Sequence, residues 1–507
     1  MRSTIDRYDK APCGNSLSGA SKLRSGSVVW LAAALWPLLG PAAVPADEGD
    51  AAKLRSLLTR LPHAEAAAGA CVIEPNSGKV LFEHHADTPM TPASTMKVLT
   101  MATGLHVLGA GFSFRTVCAI DGDRLVVIGD GDPGLGDPKL CKARGETVTT
   151  VLVRWAKALS ARGVTDLADG LVIDESIFDD VFVHPSWQKE DLQKWYAAPV
   201  GGLNINDNCV DITVWPDERA GAPVRWSVSP PNDLVRIVNK CTSGVAGKAI
   251  LHHPHDTFEY HISGQCSKRW PFAPVSFPDP GLLLAGALRR TFADHGVSIA
   301  NAPVRTRVRT PDGQLPNTLE VVGDHQTPLA DVFLRIGKDS ENLFAECLLK
   351  RTGYQWARRA KTSDSVGSWD TGARAVLDTL ECAGIDVTAL VVADGSGLSR
   401  KNRCTARQLV ETLVWVHRRA DGVLLRQSLS VCGTDGSLRQ SMQDLKGRIV
   451  AKTGTMKGVR ALAGYVQATA NREYAFAILF NGYSGSSSPY KQIQHRFCQI
   501  LASWDGS

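Results

Sequence analysis

The stretch Thr91-Pro92-Ala93-Ser94-Thr95-Met96-Lys97-Val98-Leu99-Thr100-Met101-Ala102-Thr103-Gly104-Leu105-His106-Val107-Leu108 carries the decisive pattern of this chain. Thr91 to Ser94 open a helix that runs to Leu108 and stops at Gly109. Apolar side chains occupy it nearly all round, which predicts a buried helix and not a surface one. Ser94 and Lys97 are three residues apart and share one face of its first turn, within reach of each other. Burial disfavours an ammonium, so a neutral Lys97 can take the Ser94 proton. Ser and Lys three apart also occur by chance in most proteins, so the rest of the chain must decide.

Upstream, Ala70-Cys71-Val72-Ile73 and Val80-Leu81-Phe82 flank the turn-rich Pro75-Asn76-Ser77-Gly78 and read as a hairpin over residues 69–84. Far downstream, residues 448–452, 459–467 and 474–481 read as an antiparallel meander with a turn at 469–472, and residues 490–501 as a last helix. Helical patterns also cover residues 281–295, 328–336 and 342–350. Hairpin and meander are expected to pair into one sheet with helices on its faces. Between residues 113 and 272 the texture changes to short strand-like runs with many turns. This predicts a mainly β insertion between two halves of one α/β layer structure.

Two further motifs occur in order. Ser340-Glu341-Asn342 opens a helix after Lys338-Asp339, and Lys452-Thr453-Gly454-Thr455 lies on a strand just before a turn. Each has an ordinary explanation, Ser340 as a helix cap and Lys452 as an exposed strand lysine. Gly454 leaves room for a substrate backbone along the strand edge. Together, S-x-x-K, S-x-N and K-T-G follow the order found in the penicillin-recognising serine enzymes. Asp394-Gly395-Ser396-Gly397-Leu398-Ser399-Arg400, Gly433-Thr434-Asp435-Gly436-Ser437-Leu438 and the long interval from Lys97 to Ser340 narrow the likeness. Over nearly all of residues 47–507 the chain resembles the D-alanyl-D-alanine carboxypeptidase/endopeptidase family of penicillin-binding protein 4.

The resemblance implies an α/β (α+β) fold, a penicillin-recognising, β-lactamase-like domain whose antiparallel sheet is flanked by helices. Residues 47–112 and 274–507 would form it. The mainly β insertion would split into one domain of residues 113–127 and 205–273 and a second of residues 128–204. The resemblance also implies that Ser94 attacks the carbonyl of the penultimate D-alanine, with Lys97 as base. Ser340, aided by Lys452, would pass a proton to the leaving amine, and Asn342 would bond the substrate amide. Lys452 and Thr453 would face the terminal carboxylate, with the N–H groups of Ser94 and Thr455 as oxyanion hole. Trp187-Gln188-Lys189-Glu190-Asp191, followed by Tyr196-Ala197-Ala198-Pro199, resembles a family segment whose acid binds the free amine of the peptide's diamino acid. Asp191 matches that acid.

The implied reaction is hydrolysis of D-alanyl-D-alanine ends, and of D-alanyl–diamino-acid crosslinks, in peptidoglycan stem peptides. It calls for no metal or organic cofactor, and β-lactam antibiotics would act as covalent inhibitors. A β-lactamase shares the acylation machinery and is one alternative. A non-catalytic peptidoglycan-binding protein is another, although a binder has no use for a Ser–Lys pair.

Bulk properties agree with an exported globular enzyme. The 507 residues are 44% apolar and 21% charged, and this length favours more than one domain. The first 46 residues hold much of the net charge of +5. The remainder mixes acids and bases without a basic stripe, which argues against a nucleic-acid partner. Lys22 and Arg24 precede an apolar run at 28–40, and Ala43-Val44-Pro45-Ala46 leads into Asp47. That is the order of a secretory signal peptide, assigned to residues 1–46. The apolar run is short for a span and interrupted by Pro37, so at most loose membrane association is expected, in the periplasmic or cell-wall space.

Twelve Cys occur without a C-x-x-C. Cys209, Cys241 and Cys266 could supply a bridge after export, or be small buried hydrophobes. His252, His253, His255 and His261 lack zinc spacing and read as surface histidines. Residues 129–134 lack the closing Glu of a calcium loop and read as a turn.

Overall fold

The computed structural model describes residues 48–505 apart from 246, 255, 311 and 362–364. Its organising element is a six-stranded antiparallel sheet in the spatial order Ser430–Val431, Ile449–Met456, Val459–Gln467, Glu473–Asn481, Ala67–Ile73, Val80–His84. The hairpin and the meander are thus joined, with Ala70 opposite Ile478. Strand side chains alternate between faces, so Glu473–Asn481 feeds two separate cores. Phe476, Ile478 and Phe480 enter one core with Leu54, Leu58, Phe497 and Leu501 from the terminal helices Glu48–Thr59 and Ser488–Ser503, and with Trp504 just after the second. Ala475, Ala477 and Leu479 enter the other, with Met96, Leu99 and Leu348.

On that second face the side chains Ala461, Ala463, Ala475 and Ala477 are small, so the turn carrying Ser94 and the helix Met96–Leu108 approach the sheet closely. The helix is buried all round apart from His106 and Leu108, and Gly109 ends it at φ 85°. A side chain at Gly104 would strike Leu348 of the helix Asn342–Arg359 at 2.8 Å, so this glycine sets how near the two helices come. Each fully buried Leu or Met contributes roughly 1.5–3 kcal/mol by leaving water.

The insertion departs from the expected boundaries. Ser113–Asp121 pairs with Glu320–Pro328, Ser113 opposite Pro328. These are two strands of a five-stranded sheet in the order Val304–Arg305, Gly170–Asp174, Arg124–Gly129, Ser113–Asp121, Glu320–Pro328. Arg124–Gly129 and Gly170–Asp174 run parallel, which requires a crossover, and the helix Thr150–Ala161 lies within it. The helix Pro280–Ala293 packs against that crossover helix. Residues 280–328 therefore belong with the insertion, not with the peptidase domain that was expected to resume at 274. The nested unit is also not 128–204. It is the β-rich segment 209–276, which pairs Cys209–Trp215 with Arg225–Ser229 and Glu259–Cys266 with Ala249–His252. The outer unit is mixed, not mainly β, because its sheet is packed with helices of 12 and 14 residues.

Cys209, Cys241 and Cys266 are buried and unbridged. His253 is not a surface residue: it is buried and stacked on Tyr260. His255 lies outside the described residues. Among the described residues no group of three side chains could hold a metal ion, and no helix is long and apolar enough to cross a membrane. The signal-like segment and Asp47 lie outside the described residues.

Candidate active site

Three tight turns meet at one end of the central sheet. Ala93, Ser340 and Gly397 all have positive φ, at 47°, 62° and 83°. For Ala and Ser this is a strained conformation that survives where the surroundings enforce it. Ser340 sits in the corner between the helices Leu329–Lys338 and Asn342–Arg359. It is not the helix cap: Glu341 fills that role, its carboxylate accepting from the N–H of Asn342.

Lys97 lies wholly buried under this junction. Its Nζ is 3.2 Å from Ser94 Oγ, 2.6 Å from Asn342 Oδ1 and 2.8 Å from the carbonyl of Ser396. Asn342 Nδ2 in turn donates to the carbonyl of Tyr196 at 2.6 Å. A backbone carbonyl can only accept, which fixes which end of the amide faces Lys97. A neutral amine has two hydrogens. Asn342 Oδ1 and the Ser396 carbonyl take both, which leaves the lone pair for the Ser94 hydroxyl. Burial lowers the Lys97 pKa to about 8, against the opposing pull of Glu346, Asp394 and Glu341. The amine is thus poised to exchange a proton near neutral pH.

The second lysine is different. Lys452 is also wholly buried, 2.9 Å from Ser340 Oγ and 2.9 Å from the carbonyl of Thr453. Burial and then the charge of Lys97 hold it well below the usual lysine range. Thr453 shares a hydrogen bond of 2.8 Å with Ser437. In the sheet, Ser430–Val431 pairs with Ala451 and Val450 but reaches no further. Residues 452–456 therefore present an edge toward the cleft, where an extended peptide can add as a strand.

Gly454 is also required by the protein's own packing. A Cβ there would lie 2.7 Å from the carbonyl of Pro92 and 3.2 Å from the N of Ser94. The missing side chain lets the strand close on the backbone of Pro92 and Ser94.

The open space is a cleft of about 480 Å³ whose lining includes Ser94, Asp191, Trp195, Tyr196, Ser340, Asn342 and Thr455. That is in the usual range of roughly 300–1,000 Å³ for small-ligand sites. Lys97 and Lys452 lie beneath it. Asp191 does reach the cleft, on the turn Lys189–Asp191, but its carboxylate is already engaged. Tyr196 OH donates to it at 2.7 Å and Lys194 Nζ lies 3.0 Å away.

Sequence reasoning missed several supporting groups. Glu346 is wholly buried and accepts from the N–H groups of Gly395 and Ser396 and from Trp369 Nε1. Burial raises its pKa to about 7, Asp394 adding to the effect. By holding Gly395 and Ser396, it places the Ser396 carbonyl on Lys97. The available signal was a lone carboxylate inside the apolar run Leu343-Phe344-Ala345-Glu346-Cys347-Leu348, one helical turn after Asn342. Asp394 accepts from Trp187 Nε1, the Gly397 and Ser399 N–H groups and Asn402 Nδ2, which fixes the same loop. The Tyr196 carbonyl had no signal at all, since any residue type supplies one.

The second motif is also tied to the insertion through charge. Arg335 is buried among Asp137 and Asp207 of the insertion and Asp339 and Glu341 of the Ser340 corner. Burial and the neighbouring carboxylates raise the pKa of both Asp207 and Glu341.

The sequence profile of the D-Ala-D-Ala carboxypeptidase 3 (S13) family matches residues 50–503. The D-alanyl-D-alanine carboxypeptidase of Actinomadura sp. (strain R39) is 30% identical over 447 residues, which cover 83% of this chain and 78% of that protein. The crystal structure of penicillin binding protein 4 (dacB) from Haemophilus influenzae superposes with a TM-score of 0.72 at 23% identity, covering 90% of this chain and 99% of that one. The same Haemophilus protein complexed with a β-lactam gives a TM-score of 0.66 at 22% identity, over 89% and 100% of the two chains.

Proposed function

The chain belongs to the D-Ala-D-Ala carboxypeptidase 3 (S13) family, whose members are serine peptidases, and on that premise we propose a role for each residue of the cleft. Ser94 Oγ attacks the carbonyl of the penultimate D-alanine as Lys97 Nζ takes its proton. The N–H groups of Ser94 and Thr455 bind the oxyanion. Ser340 protonates the leaving amine, drawing on Lys452, and the ester on Ser94 is then hydrolysed by water. Asn342 orients Lys97 and the substrate amide. Lys452 and Thr453 meet the terminal carboxylate, and Asp191 meets the amine of the diamino acid. The observation that carries this reading is the position of Lys97, whose other two partners are pure acceptors and leave its lone pair to Ser94.

The same cleft serves D-alanyl-D-alanine ends and, through its open strand edge, D-alanyl–diamino-acid crosslinks of peptidoglycan. Export by the N-terminal segment would bring the enzyme to that substrate. β-Lactams acylate Ser94 in the substrate's place, in keeping with the β-lactam complex of the Haemophilus relative. Labelling with a fluorescent penicillin tests the reading: one site should label, and Ser94→Ala should abolish it. Labelling of Ser94→Ala at the wild-type level would overturn the assignment, and no labelling of the intact protein would restore the non-catalytic binder. A rapidly lost label would instead favour a β-lactamase.

A further inference from the structure

A second groove, of about 460 Å³, lies across the Trp195–Tyr196 turn from the catalytic cleft, and those two residues line both spaces. Its far wall comes from the nested β unit and includes Lys248, Ile250 and Trp270. Three of its large apolar side chains face solvent: Trp195 is 41% exposed, Trp270 37% and Ile250 55%. Trp270 and Ile250 stand on paired strands, opposite Val214 and Ser263, which holds their backbone in place. Isolated exposed hydrophobic residues need no explanation, but a concave group of them beside a catalytic cleft does. Lys248 makes no ion pair among the described residues, while Lys194 at the opposite rim is engaged by Asp191.

The catalytic cleft accounts for one end of a stem peptide. In peptidoglycan the other end is joined through a lactyl ether to an N-acetylated aminosugar, and carboxylates lie along the intervening peptide. An extended chain advances ~3.3–3.6 Å per residue, so a few residues cross a ridge one aromatic pair wide. We propose that the second groove is a saccharide subsite that receives the N-acetylated aminosugar bearing the stem peptide. The C–H face of the pyranose stacks on Trp270, the acetamido methyl lies against Ile250, and Lys248 pairs with a carboxylate of the peptide as it enters. Flat aromatic side chains suit this use because they offer large apolar area with little conformational freedom to lose.

The inference rests on the D,D-peptidase reading of the cleft, and its test keeps the two apart. Wild type, Trp270→Ala and Lys248→Ala are compared on a disaccharide-linked pentapeptide, on the same pentapeptide without sugar, on a sugar-free crosslinked peptide dimer and on a fluorescent penicillin. Wild type should favour the sugar-linked peptide in kcat/KM. Trp270→Ala should lower that value roughly 5- to 30-fold, the loss expected for an interfacial aromatic anchor, and leave the sugar-free pentapeptide and penicillin labelling unchanged. Equal wild-type kcat/KM with and without sugar would overturn the subsite. A Trp270→Ala loss shared by all substrates would do so too, as an effect on folding. A selective loss on the crosslinked dimer would assign the groove to a second peptide instead. Failure of wild type to label or to cleave either pentapeptide would overturn the underlying peptidase reading.

Discussion

The side-chain nitrogen of Asn342 donates to the backbone carbonyl of Tyr196, and this bond fixes which end of the Asn342 amide faces Lys97. It turns Asn342 Oδ1 toward Lys97, which turns the Lys97 lone pair toward Ser94. The insertion is thus joined by a direct hydrogen bond to the side chain that contacts Lys97.

Asn342→Ala should slow penicillin acylation on the order of 100-fold, the usual worth of a positioned general base. Asn342→Asp should be worse near neutral pH, because a carboxylate beside Lys97 holds the ammonium form. Tyr196→Phe keeps the carbonyl and should acylate at close to the wild-type rate. Stopped-flow acylation checks all three, and a slow Tyr196→Phe enzyme would show that the backbone bond is not what matters.

The pH dependence is set by Lys97. With its pKa lowered to about 8 by burial, the amine is largely protonated at pH 7 and unable to accept from Ser94. The acylation rate should rise with pH below that value and level off above it. Glu346 raises the Lys97 pKa, so Glu346→Gln should move the midpoint down. Because the two groups interact, the midpoint belongs to the site as a whole and not to Lys97 alone. A rate independent of pH between 6 and 9 would remove Lys97 as the base.

At Gly454 the close approach to Pro92 and Ser94 leaves no space for a methyl group. Gly454→Ala should cost about 1–3 kcal/mol of stability, as overpacking does, and push the strand away from Ser94. Melting temperature and acylation rate should fall together. Normal values of both would show that the strand can yield.

Asp191 should matter for substrates that carry a nearby cation. A hydrogen bond to a charged group contributes about 1.5–3 kcal/mol, so Asp191→Ala should lose roughly 10- to 150-fold in kcat/KM on a peptide with a free diamino-acid amine. Acetylating the amine should bring wild type and variant together. Lys194 competes for the same carboxylate, so Lys194→Ala should improve the free-amine peptide by up to roughly fivefold, the scale of an exposed ion pair. No gain would place Lys194 outside the competition.

The residues at the centre of the cleft were legible because short spacings express them: Ser94 with Lys97 on one helical turn, Ser340 with Asn342 across one corner, Lys452 to Thr455 along one strand. The central sheet was legible because its strands alternate between two cores. What escaped was non-local. The pairing of Ser113–Asp121 with Glu320–Pro328 joins segments about 200 residues apart, and neither strand records its partner. Reading residues 274 onward as peptidase domain was the natural error, since a helix such as Pro280–Ala293 looks the same on either side of a domain boundary. Gly454 was noticed, but the sequence could not say which backbone approaches it.

Ser113 and Pro328 face each other as the end rung of one antiparallel ladder, and Leu329 N–H bonds the carbonyl of Phe112 beside them. Chain entry and exit thus share a single doorway. Everything between can be regarded as a cassette, acquired or exchanged in one genetic event without rethreading the catalytic layer, because a tight turn would close the same gap. Any exchanged cassette must still bring a backbone carbonyl to Asn342, as Tyr196 does here, so editing it cannot leave the surroundings of Lys97 and Ser94 untouched.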